Sequence, residues 1–206
     1  MHQTRNEIIR ALPLPRKGTK YVARALRHNS KCVSVVVAIR DMLKLARTSK
    51  EVKNMVHNKI LKINGRHVKD LHDPINLFSI LHADKNYRLT VLPTGRFVFE
   101  ETKGEVRLLK IIGKIAVSKE LFQYGLYDGT NVESKKNFSV GDTLELDFEN
   151  KISKHIAFEK GKNIFVFYGS NIGKIGKVNN IEGQKVIVKF ENGEDIVLSR
   201  AQAIAI

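Results

Sequence analysis

The first 70 residues hold 17 of the chain's 36 lysines and arginines against only four acids, Glu7, Asp41, Glu51 and Asp70, whereas all later residues together hold 19 against 17. The basic excess is therefore +13 in the first third and +2 in the rest. Such an excess must line a surface that repels itself until a polyanion or counterions neutralise it. Charge that served solubility alone would be spread along the chain, so the asymmetry is the footprint of a local polyanion-binding surface.

The rest of the composition permits folding. With 42% apolar and 28% charged content over 206 residues, the chain is expected to fold as more than one small module. The single cysteine, Cys32, cannot form an internal disulfide, which favours an intracellular setting. No stretch approaches the roughly 20 apolar residues of a membrane span. The run Cys-Val-Ser-Val-Val-Val-Ala-Ile at 32–39 is stopped by Arg40, and the opening Met1-His2-Gln3-Thr4-Arg5 leads into no hydrophobic signal core. The expectation is a soluble, cytoplasmic protein with no membrane partner.

Residues 1–31 carry Arg5, Arg10, Arg16, Lys17, Lys20, Arg24, Arg27 and Lys31 against one acid, with Pro13 and Pro15 and little periodicity. They are expected to form an extension that orders on its partner, with one short helix around Asn6–Leu12. From Val35 the pattern turns helical. Val36, Ile39, Leu43 and Ala46 recur at three- and four-residue spacing, and Thr48-Ser49-Lys50-Glu51 is a capping-box signature for a second helix carrying Val52, Met55 and Val56. Arg40, Lys44 and Arg47 would stripe the first helix, and Lys50, Lys53 and His57 the second. Lys59–Ile63 then alternates as a strand and ends in Asn64-Gly65, a strong hairpin signal, with Arg66 and Val68 on the return.

These residues carry a specific likeness. Ile39-Arg40-Asp41-Met42-Leu43-Lys44-Leu45-Ala46, Lys50-Glu51-Val52 and Ile60-Leu61-Lys62-Ile63-Asn64-Gly65-Arg66 resemble the small RNA-binding domain named after bacterial ribosomal protein S4. The whole arrangement resembles the archaeal and eukaryotic small-subunit ribosomal protein S4e family. Carried over residue by residue, the resemblance implies RNA contact at Arg40, Lys44, Arg47, Lys50, Lys53, Lys62, Asn64, Gly65 and Arg66.

The middle of the chain is expected to be β-rich, with strands at 77–81, 87–92, 96–100, 106–117 and 144–148 separated by turn signals at Pro93-Thr94-Gly95, Asp128-Gly129 and Val140-Gly141-Asp142. Lys85–Leu89, Tyr127–Asn131 and Val140–Leu144 resemble the S4e family's central β module in order and spacing. At the C-terminal end, 161–178 holds a strand, a glycine-rich loop and another strand, and 184–190 and 195–199 flank the turn Glu191-Asn192-Gly193-Glu194. This stretch resembles the KOW motif, a small SH3-like barrel, on Gly169, Gly173 and Gly176 with Lys174 and Lys177 interleaved. That likeness implies an exposed loop meeting RNA or protein.

Catalytic readings fare worse. Gly169–Lys174 departs from a phosphate-binding P-loop, because three residues rather than four separate its glycines and Ile175 follows its lysine. Seven scattered histidines and one cysteine make no zinc spacing. No nucleophile elbow and no acid pair placed for general acid–base work is present. A pseudouridine-synthase-like enzyme built on the same helical module would need a catalytic domain that the residues after position 70 do not supply. Aromatic residues are sparse, with Tyr168 and Tyr21 as candidate exceptions for base stacking.

The resulting expectation is an α+β chain of several modules: a basic extension at 1–34, an RNA-binding domain at 35–92, a central β domain at 93–158 and a KOW barrel at 159–206. Its expected role is that of a non-enzymatic structural constituent of the small ribosomal subunit, without cofactor or metal, whose partners are small-subunit rRNA and neighbouring ribosomal proteins. RNA contact is expected at Arg16, Lys17, Lys20, Arg24 and Arg27, at the helical-module residues named above, and at Gly169, Gly173, Lys174 and Lys177. The competing reading is a regulatory RNA-binding factor outside the ribosome that uses the barrel for a protein partner.

Overall fold

The apolar run at 32–39 is buried along its whole length, and the first half of the protein is organised around it. The computed structural model describes residues 2–26, 32–104, 106–190, 193 and 195–206, and the chain divides into two compact units, Met1–Glu105 and Val106–Ile206. It is β-rich, with few helices.

In chain order the first unit holds β1 (His2–Thr4), β2 (Tyr21–Ala23), β3 (Cys32–Ser34), a helical turn α1 (Val35–Val37) running straight into a π-helical segment (Ala38–Met42), and helix α2 (Ser49–His57). Then come β4 (Lys62–Ile63), β5 (Arg66–His67), β6 (Pro74–Asn76), β7 (Ile80–His82), β8 (Asn86–Val91) and β9 (Phe97–Glu101). An antiparallel sheet runs β5-β4-β7-β8-β9, while β3 pairs with β6 and β1 with β2. Val35, Val36, Val37 and Ile39 from the helical segment bury themselves, as do Val52 from α2 and Leu61, Ile75, Leu81 and Leu89 from the strands and their flanks. The alternation of β8, in which Tyr87, Leu89 and Val91 are buried, is the period-2 pattern of a half-covered strand.

Several expectations are corrected here. Over residues 2–26 the extension is not left for a partner to order; Lys31, like Arg27, lies outside the described residues. Arg5 Nε donates to the Thr19 carbonyl (2.7 Å), and its other guanidinium nitrogens donate to the Pro15 carbonyl and to Thr19 Oγ1, closing the loop between β1 and β2. Val22 and Ala25 are buried, the Leu26 amide donates to the His72 carbonyl, and the Phe97 amide donates to the Ala11 carbonyl. The helix expected over Asn6–Leu12 is a single 3₁₀ turn, Arg5–Glu7, capped reciprocally by Thr4 and Glu7.

The first helix ends at Met42, where the Leu43 amide bonds back to the Ala38 carbonyl and Lys44 adopts a φ of 57°. Arg40, Lys44 and Arg47 therefore do not share one helix face. Lys59 and Ile60, expected in a strand, close α2 by bonding to the Val56 and Met55 carbonyls. The strand expected at 77–81 is broken by Phe78, whose φ is 64°. The expected boundary at 92/93 falls inside the β8–β9 hairpin, whose register pairs Val91 with Phe97.

The second unit contains β10 (Arg107–Ala116), β11 (Phe122–Leu126), β12 (Asn131–Ser134), β13 (Thr143–Leu146), β14 (Ile152–Ile156), β15 (Asn163–Val166), β16 (Ile175–Glu182), β17 (Lys185–Phe190), β18 (Asp195–Ser199) and β19 (Ala203–Ala205). Of these, β11, β12, β14 and β19 were not anticipated. One antiparallel sheet runs β12-β11-β10-β13-β14 around Leu109, Ile111, Tyr124, Leu126, Leu144 and Leu146. A second runs β18-β17-β16-β15-β19 around Ile164, Val166, Val178, Val186, Val188 and Ala205.

Two cations of β10 face inward. Arg107 Nη1 donates to Asp128 Oδ2 at 2.8 Å with both side chains almost fully buried, and Nη2 donates to Asn150 Oδ1. Lys110 Nζ donates to the Ala203 carbonyl (2.6 Å) and to the Arg200 carbonyl, tying the two sheets together, and burial pushes its ammonium down to about 8. Asp142 joins the same region by accepting from the Ser139 and Phe158 amides and from His155. A bond from His155 Nε2 to this carboxylate needs the proton on Nε2.

Candidate nucleic-acid interface

Helix α2 is built as its capping signature dictates. Thr48 Oγ1 accepts from the Glu51 amide (3.2 Å), and the Glu51 carboxylate accepts from the Arg47 amide at 2.7 Å, one residue before the cap. That amide bond, followed by bonds to Thr48, holds Glu51 below the usual carboxylate range. Val52 is buried and Met55 and Val56 half-buried, which turns Lys50, Lys53 and His57 outward as expected. Lys44 and Arg47, exposed in the segment between the helices, flank the same end of α2.

Arg40 behaves differently. Its Nε and Nη2 form a forked pair with Asp41 (2.9 and 2.7 Å), and Nη1 donates to Ser49 Oγ (2.9 Å), so the guanidinium bridges the π-helical segment to the start of α2. The hydrogen bonds to Asp41 raise its pKa above the ordinary arginine value. Arg40 is thus a strut that fixes the helix pair and is only partly exposed.

The hairpin signal is realised as a β4–β5 turn with positive φ at both central residues, 50° at Asn64 and 79° at Gly65. Asn64 is directed inward: Oδ1 accepts from the Ile80 amide (2.9 Å) and Nδ2 donates to Ser79 Oγ (3.2 Å). Its side chain anchors the turn to β7, and what the turn presents to solvent is Gly65 and Arg66, with Lys62 half-exposed beside them. Among the described residues, Lys44, Arg47, Lys50, Lys53 and Arg66 make no ion pair, whereas Arg40 does.

In the N-terminal ribbon, Arg16, Lys17 and Lys20 are exposed on the loop that Arg5 closes, and Arg24 is half-buried with its carbonyl accepting from His72 Nδ1 at 2.9 Å. Arg27 lies outside the described residues, as does part of the turn expected at 191–194.

In the second unit the glycine loop follows β15. Gly169 and Gly173 have φ of 100° and 77°, and the Gly173 amide bonds to the Val166 carbonyl. Lys174 Nζ donates to Asn171 Oδ1 and lies 5.6 Å from the Phe190 ring centroid, so it packs over the loop. At Gly176 a Cβ would meet Val188 at 2.6 Å, which shows why β16 and β17 need glycine there. The exposed Lys177 stands directly opposite the exposed Lys189 across these strands. Like charges at this spacing repel, and Asp195, directly opposite Lys189 on β18, offsets part of that repulsion. Lys189 was not anticipated. It faces Lys177 only because a β-bulge between Val178 and Asn180 shifts the register that the turn at Gly183 starts, and the sequence carries no signal for that bulge.

No helix among the described residues is long and apolar enough to cross a membrane. The family model "Ribosomal family S4e" matches residues 83–152. The small ribosomal subunit protein eS4 of Methanocaldococcus jannaschii is 30% identical over 199 residues, covering 87% of this chain and 82% of that protein. The protein of the same description from Methanospirillum hungatei is 30% identical over 177 residues, covering 80% and 73%. Among solved structures, the crystal structure of the 30S ribosomal protein S4e from Thermoplasma acidophilum superposes with a TM-score of 0.74 at 23% identity, covering 86% of this chain and 96% of that one.

Proposed function

Because the chain belongs to the S4e family of ribosomal proteins, we propose that its unpaired cations bind folded small-subunit rRNA, with Lys44, Arg47, Lys50, Lys53 and Arg66 as the principal phosphate contacts. The protein is a non-enzymatic structural constituent of the small ribosomal subunit and works in the cytoplasm, where ribosomes translate. The observation that carries the proposed contacts is the separation of cations into two classes. Arg5, Arg40, Arg107 and Lys110 bond within the protein, whereas Lys44, Arg47, Lys50 and Lys53, on and just before α2, and Arg66, on the β4–β5 turn, are exposed.

Residues 35–92 serve as the S4-type RNA-binding module, extended by the rest of the β8–β9 hairpin. Residues 159–206 serve as a KOW-type SH3-like barrel, a reading supported by the five-stranded antiparallel order β18-β17-β16-β15-β19 and the positive-φ glycines of its loop. Lys177 and Lys189 give that sheet an anion-receptive face, and neighbouring ribosomal proteins are the further partners. Charge and backbone amides fix the register on RNA, with base-edge readout secondary.

The test is equilibrium binding to transcribed small-subunit and large-subunit rRNA over a salt series. Tight binding to the small-subunit transcript is expected, with a log–log salt slope of about −0.7 to −0.9 per phosphate contact. Equal affinity for both transcripts, or a flat salt dependence, contradicts the proposal.

A further inference from the structure

Between the N-terminal ribbon and the helix pair lies a cavity of about 550 Å³ whose lining includes His2, Arg5, Lys17, Tyr21, Arg40 and Asp41. It adjoins a second cavity of about 440 Å³, lined by Arg16 and Lys20 among others, and the two share Arg5, Lys17, Gly18 and Thr19. The first falls within the roughly 300–1,000 Å³ of small-ligand pockets. Resting on the rRNA-binding reading above, we propose that this cavity receives a single extruded nucleotide of the rRNA, its base stacked on Tyr21 and the flanking phosphates held by Lys17, Lys20 and Arg16 along the second cavity.

Three features point to this occupant. Tyr21 is half exposed on a strand only three residues long, with the His2 ring meeting it edge-on at 4.8 Å and the Lys20 ammonium 5.3 Å from its ring centroid. An exposed aromatic ring with an ammonium beside it is an arrangement that accepts a splayed base and its phosphate together. The walls are also preformed. Arg5 is fixed by its bonds to Thr19 and Pro15, Arg40 is fixed by Asp41 and Ser49, and a Cβ at Gly18 would come within 2.7 Å of the Arg5 guanidinium. Finally, the charge of the lining is one-sided: Asp41 is its one carboxylate and is already paired with Arg40. Arg5, Lys17, Lys20 and Arg16, which line the two adjoining cavities, therefore leave them receptive to an anion.

The experiment compares full-length wild type with Tyr21→Ala, Tyr21→Phe and the Lys17→Gln/Lys20→Gln pair in binding to transcribed small-subunit rRNA over a salt series. Tyr21→Ala is expected to weaken binding between about 5- and 150-fold at every salt concentration, the range of one lost base stack, with the salt slope unchanged. Tyr21→Phe retains wild-type affinity, and the lysine pair reduces the slope magnitude by roughly 1.4 to 1.8. Unchanged affinity for Tyr21→Ala overturns the pocket assignment while leaving the rRNA reading intact.

Should Tyr21→Ala loosen the ribbon in far-ultraviolet circular dichroism, Tyr21→Leu separates the roles. It preserves apolar bulk, so weakened binding by a well-folded Tyr21→Leu supports stacking and full binding overturns it. Wild type that fails to bind the transcript overturns the rRNA reading itself, and the pocket with it.

Discussion

Replacing Lys44, Arg47, Lys50 and Lys53 together by glutamine is expected to flatten the salt dependence of rRNA binding by roughly 3 in log–log slope, and to weaken affinity roughly 10²- to 10³-fold near 0.1 M salt. The reasoning rests on exposure. All four side chains are exposed, and among the described residues none has an ion-pair partner, so their removal deletes phosphate neutralisation and, within the protein, only the attraction between Arg47 and Glu51. Far-ultraviolet circular dichroism should therefore be unchanged. Arg40→Gln is the contrast. It removes a forked pair with Asp41 and the bond to Ser49, so its effect should fall on the stability of the helix pair, with little change in slope. If the quadruple variant kept the wild-type slope, the interface would lie elsewhere.

Asp128→Ala is expected to cost about 3–5 kcal/mol of folding stability, because it leaves the Arg107 charge buried beside a vacated partner. The Arg107 and Asp128 side chains are only 2% and 3% exposed, and the second Asp128 oxygen accepts from the Thr130 amide (2.9 Å) and hydroxyl (2.6 Å). The substitution thus also unties the turn that leads into β12. Against a total of about 5–15 kcal/mol for a domain, this is a large fraction. The chain has no tryptophan, so urea unfolding followed by circular dichroism is the suitable readout. The double variant Arg107→Met/Asp128→Leu should recover the part of the loss due to the stranded charge, since an apolar pair carries no desolvation penalty, while the Thr130 turn stays untied. An unchanged urea midpoint for Asp128→Ala would mean that the buried pair contributes little.

The features legible in the sequence were those fixed by neighbours along the chain. Asn64-Gly65 specifies its turn because both residues tolerate positive φ, and Thr48-Ser49-Lys50-Glu51 specifies the start of α2 because its cap bonds span only a few residues. What stayed hidden depended on distant partners. The acceptors of Lys110 come from residues 200 and 203, so nothing near it distinguishes a buried lysine from a solvated one on an alternating strand. The β1–β2 ribbon consists of two three-residue strands, too short for a periodic signal, and is closed by one arginine reaching loop carbonyls ten and fourteen residues away. Phe78 holds a left-handed conformation in which its amide donates to the Leu89 carbonyl, a tertiary choice that local propensity opposes.

The candidate site divides along the same line. The positions of Lys50, Lys53 and Arg66 followed from helix and hairpin periodicity. The internal engagement of Arg40 and Asn64 did not, because side chains that bond inward and side chains that face RNA look alike in sequence.

The most direct measurement of the central claim is sedimentation of native lysate through a sucrose gradient, with the protein followed by immunoblot at low and at high salt. Co-migration with the small subunit at low salt, with release only at high salt, is the predicted result. A protein that stays near the top of the gradient even at low salt would contradict a structural place in the subunit.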